Sequence, residues 1–229
     1  WVAAGNLDGA GVDEIVTGAG LGETPQVRVF LSAGSPLASF YAFDRTFRGG
    51  VRVASCDVNN DGFAELVTAQ GPGGGRVRVL TLAGGVVNEL VAFDAFEPSF
   101  TGGVNVACGD VDGDGRAEVV VGPDGGRAPD VKVFSVGALT ATVVAQFQAY
   151  EPSFTGGVYV AAGDVTGDGK AELVITPDEG GGPRVRVFSG AGFAPLADFF
   201  GIDDPNFRGG ARPAVGDFNG DGAGDLVVA

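Results

Sequence analysis

The chain has 229 residues, 45% of them hydrophobic, which is ample for a buried core in one large or two small domains. Its formal net charge is −15 with no basic stripe, which excludes nucleic acid as a partner. It contains no His, which excludes Ser-His-Asp and Cys-His nucleophile systems and His-based zinc sites.

Trp1 opens directly into patterned sequence with no legible signal peptide, and no apolar run approaches the length of a membrane span, so no membrane insertion is expected. Five related nine-residue stretches then follow along the chain: Asn6 to Glu14, Asp57 to Glu65, Asp110 to Glu118, Asp164 to Glu172 and Asp217 to Asp225. The last four begin 53, 54 and 53 residues apart, so one unit is repeated. Each puts oxygen-bearing side chains at positions 1, 3, 5 and 9 and a Gly at position 6, with the backbone carbonyl of position 7 as a further donor. That pattern wraps a hard, oxygen-seeking cation, of which Ca²⁺ is the usual one.

The expected ligand sets are Asp57, Asn59, Asp61, Phe63 and Glu65; Asp110, Asp112, Asp114, Arg116 and Glu118; Asp164, Thr166, Asp168, Lys170 and Glu172; and Asp217, Asn219, Asp221, Ala223 and Asp225. The stretch at Asn6 is a worn copy, with Ala10 where the third ligand should stand, and is expected to bind weakly or not at all. About four Ca²⁺ sites follow. These loops are not EF-hands, because position 12 is Thr68, Val121, Ile175 and Val228 rather than a bidentate Glu. Asp, Asn and Gly also mark ordinary turns, but a turn does not need an acid at position 9. The four loops hold 13 of the chain's 29 acids, so much of its acidity belongs to metal sites.

Between the loops each unit reads alike. In the fourth, Val158 to Ala162 leads into the loop, Glu172 to Thr176 leaves it, a Gly/Pro turn runs from Pro177 to Pro183, and Arg184 to Phe188 and Leu196 to Ile202 follow. These short Val- and Phe-rich runs bounded by Gly and Pro are strands, and no helical period is sustained anywhere. The expectation is an all-β fold, a single β-propeller domain over 1–229 with four-stranded antiparallel blades of about 53 residues. The repeats fall at roughly 1–50, 51–103, 104–157 and 158–210, with a partial fifth at 211–229, making 18 strands. The chain reads as a segment of a longer protein. Taken alone, it is expected to close as a ring of five blades, the last without its outer strands.

Arg28, Arg78, Lys132 and Arg186 recur once per unit, as do Phe47, Phe100, Phe154 and Phe207, and Phe43, Phe96 and Tyr150. Regular recurrence marks them as packing between blades rather than ligand binding. Cys56 and Cys108 lie just before the first ligands of consecutive loops. They can face each other across neighbouring units, but two buried free thiols are the expected state.

These features resemble the FG-GAP repeat family, known from the propeller of the integrin α subunit. Phe100-Thr-Gly-Gly103 stands for its Phe-Gly element, Asp110 to Glu118 for its calcium loop and Gly122-Pro123 for the element after the second strand. The resemblance implies calcium loops on one face of the ring. The opposite face then carries the turns Gly20 to Pro25, Gly71 to Gly75, Pro123 to Pro129 and Pro177 to Pro183, where Glu23, Thr24, Arg127, Asp178 and Glu179 are positions for a ligand-specific surface.

The expected function is non-enzymatic: a calcium-binding adhesion or protein-interaction module, with an extracellular protein or glycan as its ligand. Two alternatives stand beside it, a structural spacer in a large repeat protein and a carbohydrate-binding propeller or scaffold of a polysaccharide-degrading enzyme. Loops of this kind bind calcium weakly, around 10⁻⁴ to 10⁻³ M, which places the chain in an extracellular, cell-surface or periplasmic setting.

Overall fold

The structure, a computed structural model, describes residues 1–229, and all of its regular elements are strands. The first repeat forms β1 (Val2–Gly5), β2 (Glu14–Gly18), β3 (Gln26–Phe30) and β4 (Pro36–Tyr41). The second forms β5 (Val51–Cys56), β6 (Glu65–Gln70), β7 (Arg76–Ala83) and β8 (Val86–Asp94). The third forms β9 (Val104–Gly109), β10 (Glu118–Pro123), β11 (Asp130–Val136) and β12 (Ala141–Gln148), and the fourth β13 (Val158–Gly163), β14 (Glu172–Pro177), β15 (Arg184–Phe188) and β16 (Pro195–Phe200). Last come β17 (Pro213–Gly216) and β18 (Asp225–Val228). Each repeat is an antiparallel meander in sequence order, so the chain makes four four-stranded blades and one two-stranded sheet, a β-propeller architecture.

Burial explains the strand sequences. The second strands β10 and β14 are buried along their whole length, since a neighbouring blade covers each face, and they read as continuous apolar runs. The outermost strands β12 and β16 are mostly exposed or half-buried. A register shift falls at the same place in every blade, between Val29 and Phe30, Val79 and Leu80, Val133 and Phe134, and Val187 and Phe188. Such a bulge adds local twist to the outer half of a blade.

The apolar core is divided into four layers, each between two successive sheets. Val16, Val51 and Leu66 belong to the first, Val67, Val104 and Val119 to the second, Val120, Val158 and Leu173 to the third, and Val174, Val185 and Ala161 to the fourth. The recurring aromatics pair edge to face, Phe43 with Phe47, Phe96 with Phe100 and Tyr150 with Phe154. The basic residues of the third strands reach back to the preceding blade: Arg78 donates to the Ala42 carbonyl, Lys132 to Ala95 at 3.1 Å and Arg186 to Ala149 at 2.6 Å. Their repetition is structural, as expected.

The paired glycines that open each repeat have a steric reason. A Cβ on Gly102 would lie 2.2 Å from the Gly125 carbonyl oxygen of its own blade, and one on Gly157 would lie 2.5 Å from the backbone of Asp124 in the preceding blade. Gly157 also has φ of 97°, which L-residues rarely adopt.

Two expectations need correction. The inner strands pack in the series β1, β5, β9, β13 and β17, but the fifth sheet lies against β13 and β14, while Val2 and Ile15 of the first blade stay exposed. The first and last sheets therefore approach at the axis without the face-to-face packing of a closed five-blade ring. Cys56 and Cys108 are not free thiols; they form a disulfide with Cα atoms 6.1 Å apart. The cause is the convergence of adjacent inner strands, β5 and β9, at their loop ends. The bond closes a separation of 52 residues. Removing it in a Cys56→Ala/Cys108→Ala variant is expected to cost ~2–4 kcal/mol. The readout is a lower urea midpoint with a steeper slope, since the unfolded chain without the cross-link exposes more surface.

Candidate metal centres

Each nine-residue loop joins the first two strands of a blade, and its own backbone pre-forms it. The carboxylate at position 1 gathers the N–H groups of the turn: Asp110 Oδ1 accepts from Gly113 at 2.7 Å and Asp114 at 3.2 Å, and Oδ2 from Gly115 at 2.8 Å. Asp164 and Asp217 repeat the pattern with Gly167, Asp168 and Gly169, and with Gly220, Asp221 and Gly222. Asp57 does the same, and Asn60 there takes φ of 61° where Gly stands in the other loops. Position 6 has positive φ throughout, 87° at Gly62, 89° at Gly115, 85° at Gly169 and 89° at Gly222, which is why only Gly stands there.

The carboxylate at position 5 accepts the position 7 N–H, from Phe63 to Asp61, Arg116 to Asp114, Lys170 to Asp168 and Ala223 to Asp221. The acid at position 9 is anchored from the other side: Glu65 accepts from Val58 at 3.0 Å, Glu118 from Val111 at 3.1 Å, Glu172 from Val165 at 3.1 Å and Asp225 from Phe218 at 2.9 Å. The loops are also linked in a row. The N–H of Ala117 donates to the Asp57 carbonyl at 2.8 Å, Ala171 to Asp110 at 2.7 Å and Gly224 to Asp164 at 2.6 Å. One face of the molecule thus carries a continuous rail of loops.

The donor set fits a hard cation. Oxygens of Asp110, Asp112 and Glu118 lie within 4.8 Å of one another, the spread that ligands at 2.3–2.6 Å from a single Ca²⁺ produce. Asp114 is not part of that triad; its Oδ1 is turned to the Arg116 N–H. The other three loops carry Asn59, Thr166 and Asn219 at position 3 and so bring two of their acids to positions 1 and 9 around a neutral side chain. In the loop at Asp57, Asn59 Oδ1 is buried without any hydrogen-bond partner, an orphan acceptor that a cation would satisfy. The worn loop keeps its shape, with Glu14 accepting from Leu7 at 2.8 Å and Asp8 at 3.2 Å, but Ala10 supplies no third carboxylate.

The electrostatics are those of a site built around positive charge. Burial pushes the Glu65 carboxyl up to about 7, with Asp61 and Asp57 adding to the rise and the Val58 N–H opposing it. Burial likewise pushes Glu118 up to about 7, reinforced by Asp112, Asp114 and Asp110 and opposed by the Val111 N–H. At exposed Asp217 the N–H of Gly222 leads the other way and holds the carboxyl below its ordinary range. In the metal-free protein Glu65 and Glu118 keep protons that the unfolded chain has already lost, so their contribution to stability is full below about 4.5 and disappears as the pH rises through about 7. A bound calcium ion would require the ionised forms and so reverse the trend. The metal-free protein is therefore expected to melt on the order of 5 °C lower at pH 8 than at pH 5.5, and the calcium-loaded protein higher at pH 8. Parallel thermal scans at the two pH values test both signs.

Of the turn residues on the opposite face, Arg127 pairs with Glu97 at 2.6 Å and Asp130 at 2.9 Å and stacks 4.0 Å from the centre of the Phe96 ring, while its Nε is buried without an acceptor. Glu23 and Thr24 line a shallow depression with Arg28. Asp178 is buried and belongs to a cluster that sequence reasoning missed, at the starts of the inner strands. Trp1, Arg52, Asn105, Tyr159 and Arg212 occupy one repeat position and meet there around the axis. The available signal was their divergence between flanks that are Val in most repeats, Val51, Val104 and Val158 on one side and Val2, Val53, Val106 and Val160 on the other, with Ala211 and Pro213 the exceptions in the last repeat.

Comparison with known proteins agrees with this geometry. The FG-GAP-like repeat pattern matches residues 57–121 and 164–228, together more than half of the chain. No curated protein sequence matches. Among solved structures, the chain is similar to rhamnogalacturonan lyase YesW (TM-score 0.57, 15% identity, 99% of this chain and 48% of that one). It is also similar to the Bacillus licheniformis rhamnogalacturonan lyase PL11 (TM-score 0.54, 14% identity, 100% and 54%) and to the Dos1 propeller (TM-score 0.52, 13% identity, 88% and 47%). The chain thus spans about half the length of these structures. At such identities the likeness concerns the fold alone.

Proposed function

The chain belongs to the FG-GAP-like repeat family, and from that premise we propose that it is a calcium-braced interaction module of a secreted or surface protein. The observation that carries the reading is the convergence of Asp110, Asp112 and Glu118 within one calcium-sized sphere, on a loop pattern that recurs three more times. Calcium there would tie the first two strands of each blade together, leaving the opposite face for a partner. Weak-affinity loops suit a calcium-rich compartment, and the Cys56–Cys108 disulfide supports an oxidising one. No catalytic role is assigned, since the acids that cluster on the loop face are accounted for as metal ligands.

A second reading, carbohydrate binding, is favoured by one feature. Between the fourth blade and the loop that follows it, Tyr150, Phe154, Phe200, Arg184 and Arg208 line a cavity of about 230 Å³, and Phe200 is 61% exposed. Exposed rings beside charged groups suit sugar faces and hydroxyls. The test is a paired screen of the calcium-loaded protein against purified matrix proteins and a glycan array, repeated in EGTA. Calcium-dependent binding to a protein supports the first reading, and binding confined to glycans supports the second. Silence in both screens would leave the spacer.

A further inference from the structure

The axial cluster is a second site, at the opposite end of the inner strands from the metal loops. Its cavity, about 70 Å³, is lined by Trp1, Arg52, Asn105, Tyr159 and Arg212 with Val and Pro side chains between them. Two guanidiniums face it and no carboxylate lines it, in a chain whose net charge is −15. The scaffold repeats almost unchanged around the axis, yet this one position is indole, guanidinium, amide, phenol and guanidinium in turn.

The two arginines differ in what they have left to offer. Arg52 is buried and committed: it pairs with Asp124, donates to the Gly49 carbonyl at 3.0 Å, and stacks 4.7 Å from the Trp1 ring centre. Asn105 braces this pair by donating to Asp124 at 3.1 Å and to the Val158 carbonyl at 3.0 Å. Asp178 lies behind them, hydrogen-bonded to Tyr159. Burial, followed by the Asp178 charge, raises the Asp124 carboxyl, and Arg52 opposes the rise. Arg212 is exposed and has no carboxylate partner. It is held in position by Tyr159 alone, stacking 4.8 Å from the ring centre and donating from Nη2 to the phenol oxygen at 2.8 Å. Tyr159 takes a single Nη2 hydrogen, which leaves one fork of the guanidinium, Nε with Nη2 or Nη1 with Nη2, without a protein acceptor.

We propose that this axial cavity is an anion site that takes a single carboxylate group, with Arg212 as the gripping residue and Trp1 and Tyr159 as its walls. The guanidinium edge offers two parallel N–H donors, the geometry a carboxylate accepts in bidentate fashion. The volume matches an acetate-sized group, about two water molecules' share of space. The charge of neighbouring Arg52 is cancelled by Asp124, so Arg52 does not compete for the ligand and the grip rests on Arg212. The site does not depend on the calcium reading, as the metal loops lie about six residues of extended strand away, on the order of 20 Å.

The test uses the calcium-loaded chain at constant ionic strength, titrated with sodium acetate, galacturonate and N-acetylglutamate, with acetamide and galactose as neutral controls, followed by NMR of the Trp indole and by calorimetry. Acetate is expected to bind at millimolar concentration and acetamide not at all. Arg212→Gln is expected to weaken every carboxylate by about tenfold or more. Tyr159→Phe, which keeps the ring but frees the guanidinium, is expected to weaken them less. Galacturonate or N-acetylglutamate binding tighter than acetate identifies a sugar acid or an acidic side chain as the source of the group. Equal binding by acetamide, undiminished binding by Arg212→Gln, or no carboxylate binding at all overturns the proposal. The thermal midpoint of Arg212→Gln, unchanged from that of the parent, shows that the variant is folded.

Discussion

In about 10 mM Ca²⁺ the protein is expected to melt about 10–40 °C above its melting point in excess EGTA. The size follows from mass action. A site at ten to a hundred times its dissociation constant adds about 1.4–2.7 kcal/mol to the folded state, and four sites add roughly 5–10 kcal/mol. For a chain of this size each kcal/mol moves the midpoint by about 2–4 °C. The effect is large because the loops store repulsion that only a cation relieves: Asp110, Asp112 and Glu118 are held together by backbone N–H groups that keep the loop folded whether or not metal is present. The loops are also tied to one another through the Ala117, Ala171 and Gly224 N–H groups, so loss of one ion loosens its neighbours. A shift of under about 3 °C would mean that the loops are turns and nothing more.

Asp124→Ala is expected to be the most damaging single substitution, at about 3–5 kcal/mol. It leaves the buried Arg52 guanidinium without its counter-charge and takes from Asn105 one of its two acceptors. An uncompensated charge in the interior costs far more than the intact pair contributes. For that reason a second change, Arg52→Met in the Asp124→Ala background, is expected to recover part of the loss. Urea unfolding in calcium measures both variants. A cost of under about 1 kcal/mol for Asp124→Ala would show that water reaches Arg52 freely.

The blades and the nine-residue loops were legible in the sequence for a common reason: each is specified by residues that recur. Positive φ at position 6 demands Gly four times over, and the apolar second strands, the third-strand cations and the Phe pairs return every 53 or so residues. What recurrence cannot reveal is contact between repeats that break it. Cys56 and Cys108 can face each other across neighbouring units, but Cys is so often a plain core residue that the pattern favours free thiols, whereas the convergence of β5 and β9 joins them. Asp114 fits the motif and accepts the Arg116 N–H through Oδ1, with Oδ2 left over. Arg127 looked like a variable turn residue and is a structural clamp on Phe96. The axial residues were hidden by the same logic, because a period draws the eye to what is constant and a ligand site is built from what is not.

The most direct test of the account is a calorimetric Ca²⁺ titration of the metal-free protein beside its Asp110→Asn/Asp112→Asn variant. The account predicts about four sites in the parent, with dissociation constants near 10⁻⁴ M. It also predicts loss of the tightest of them in the variant, with the others retained. Absence of calcium binding in the parent, or an identical titration for the two proteins, would contradict it.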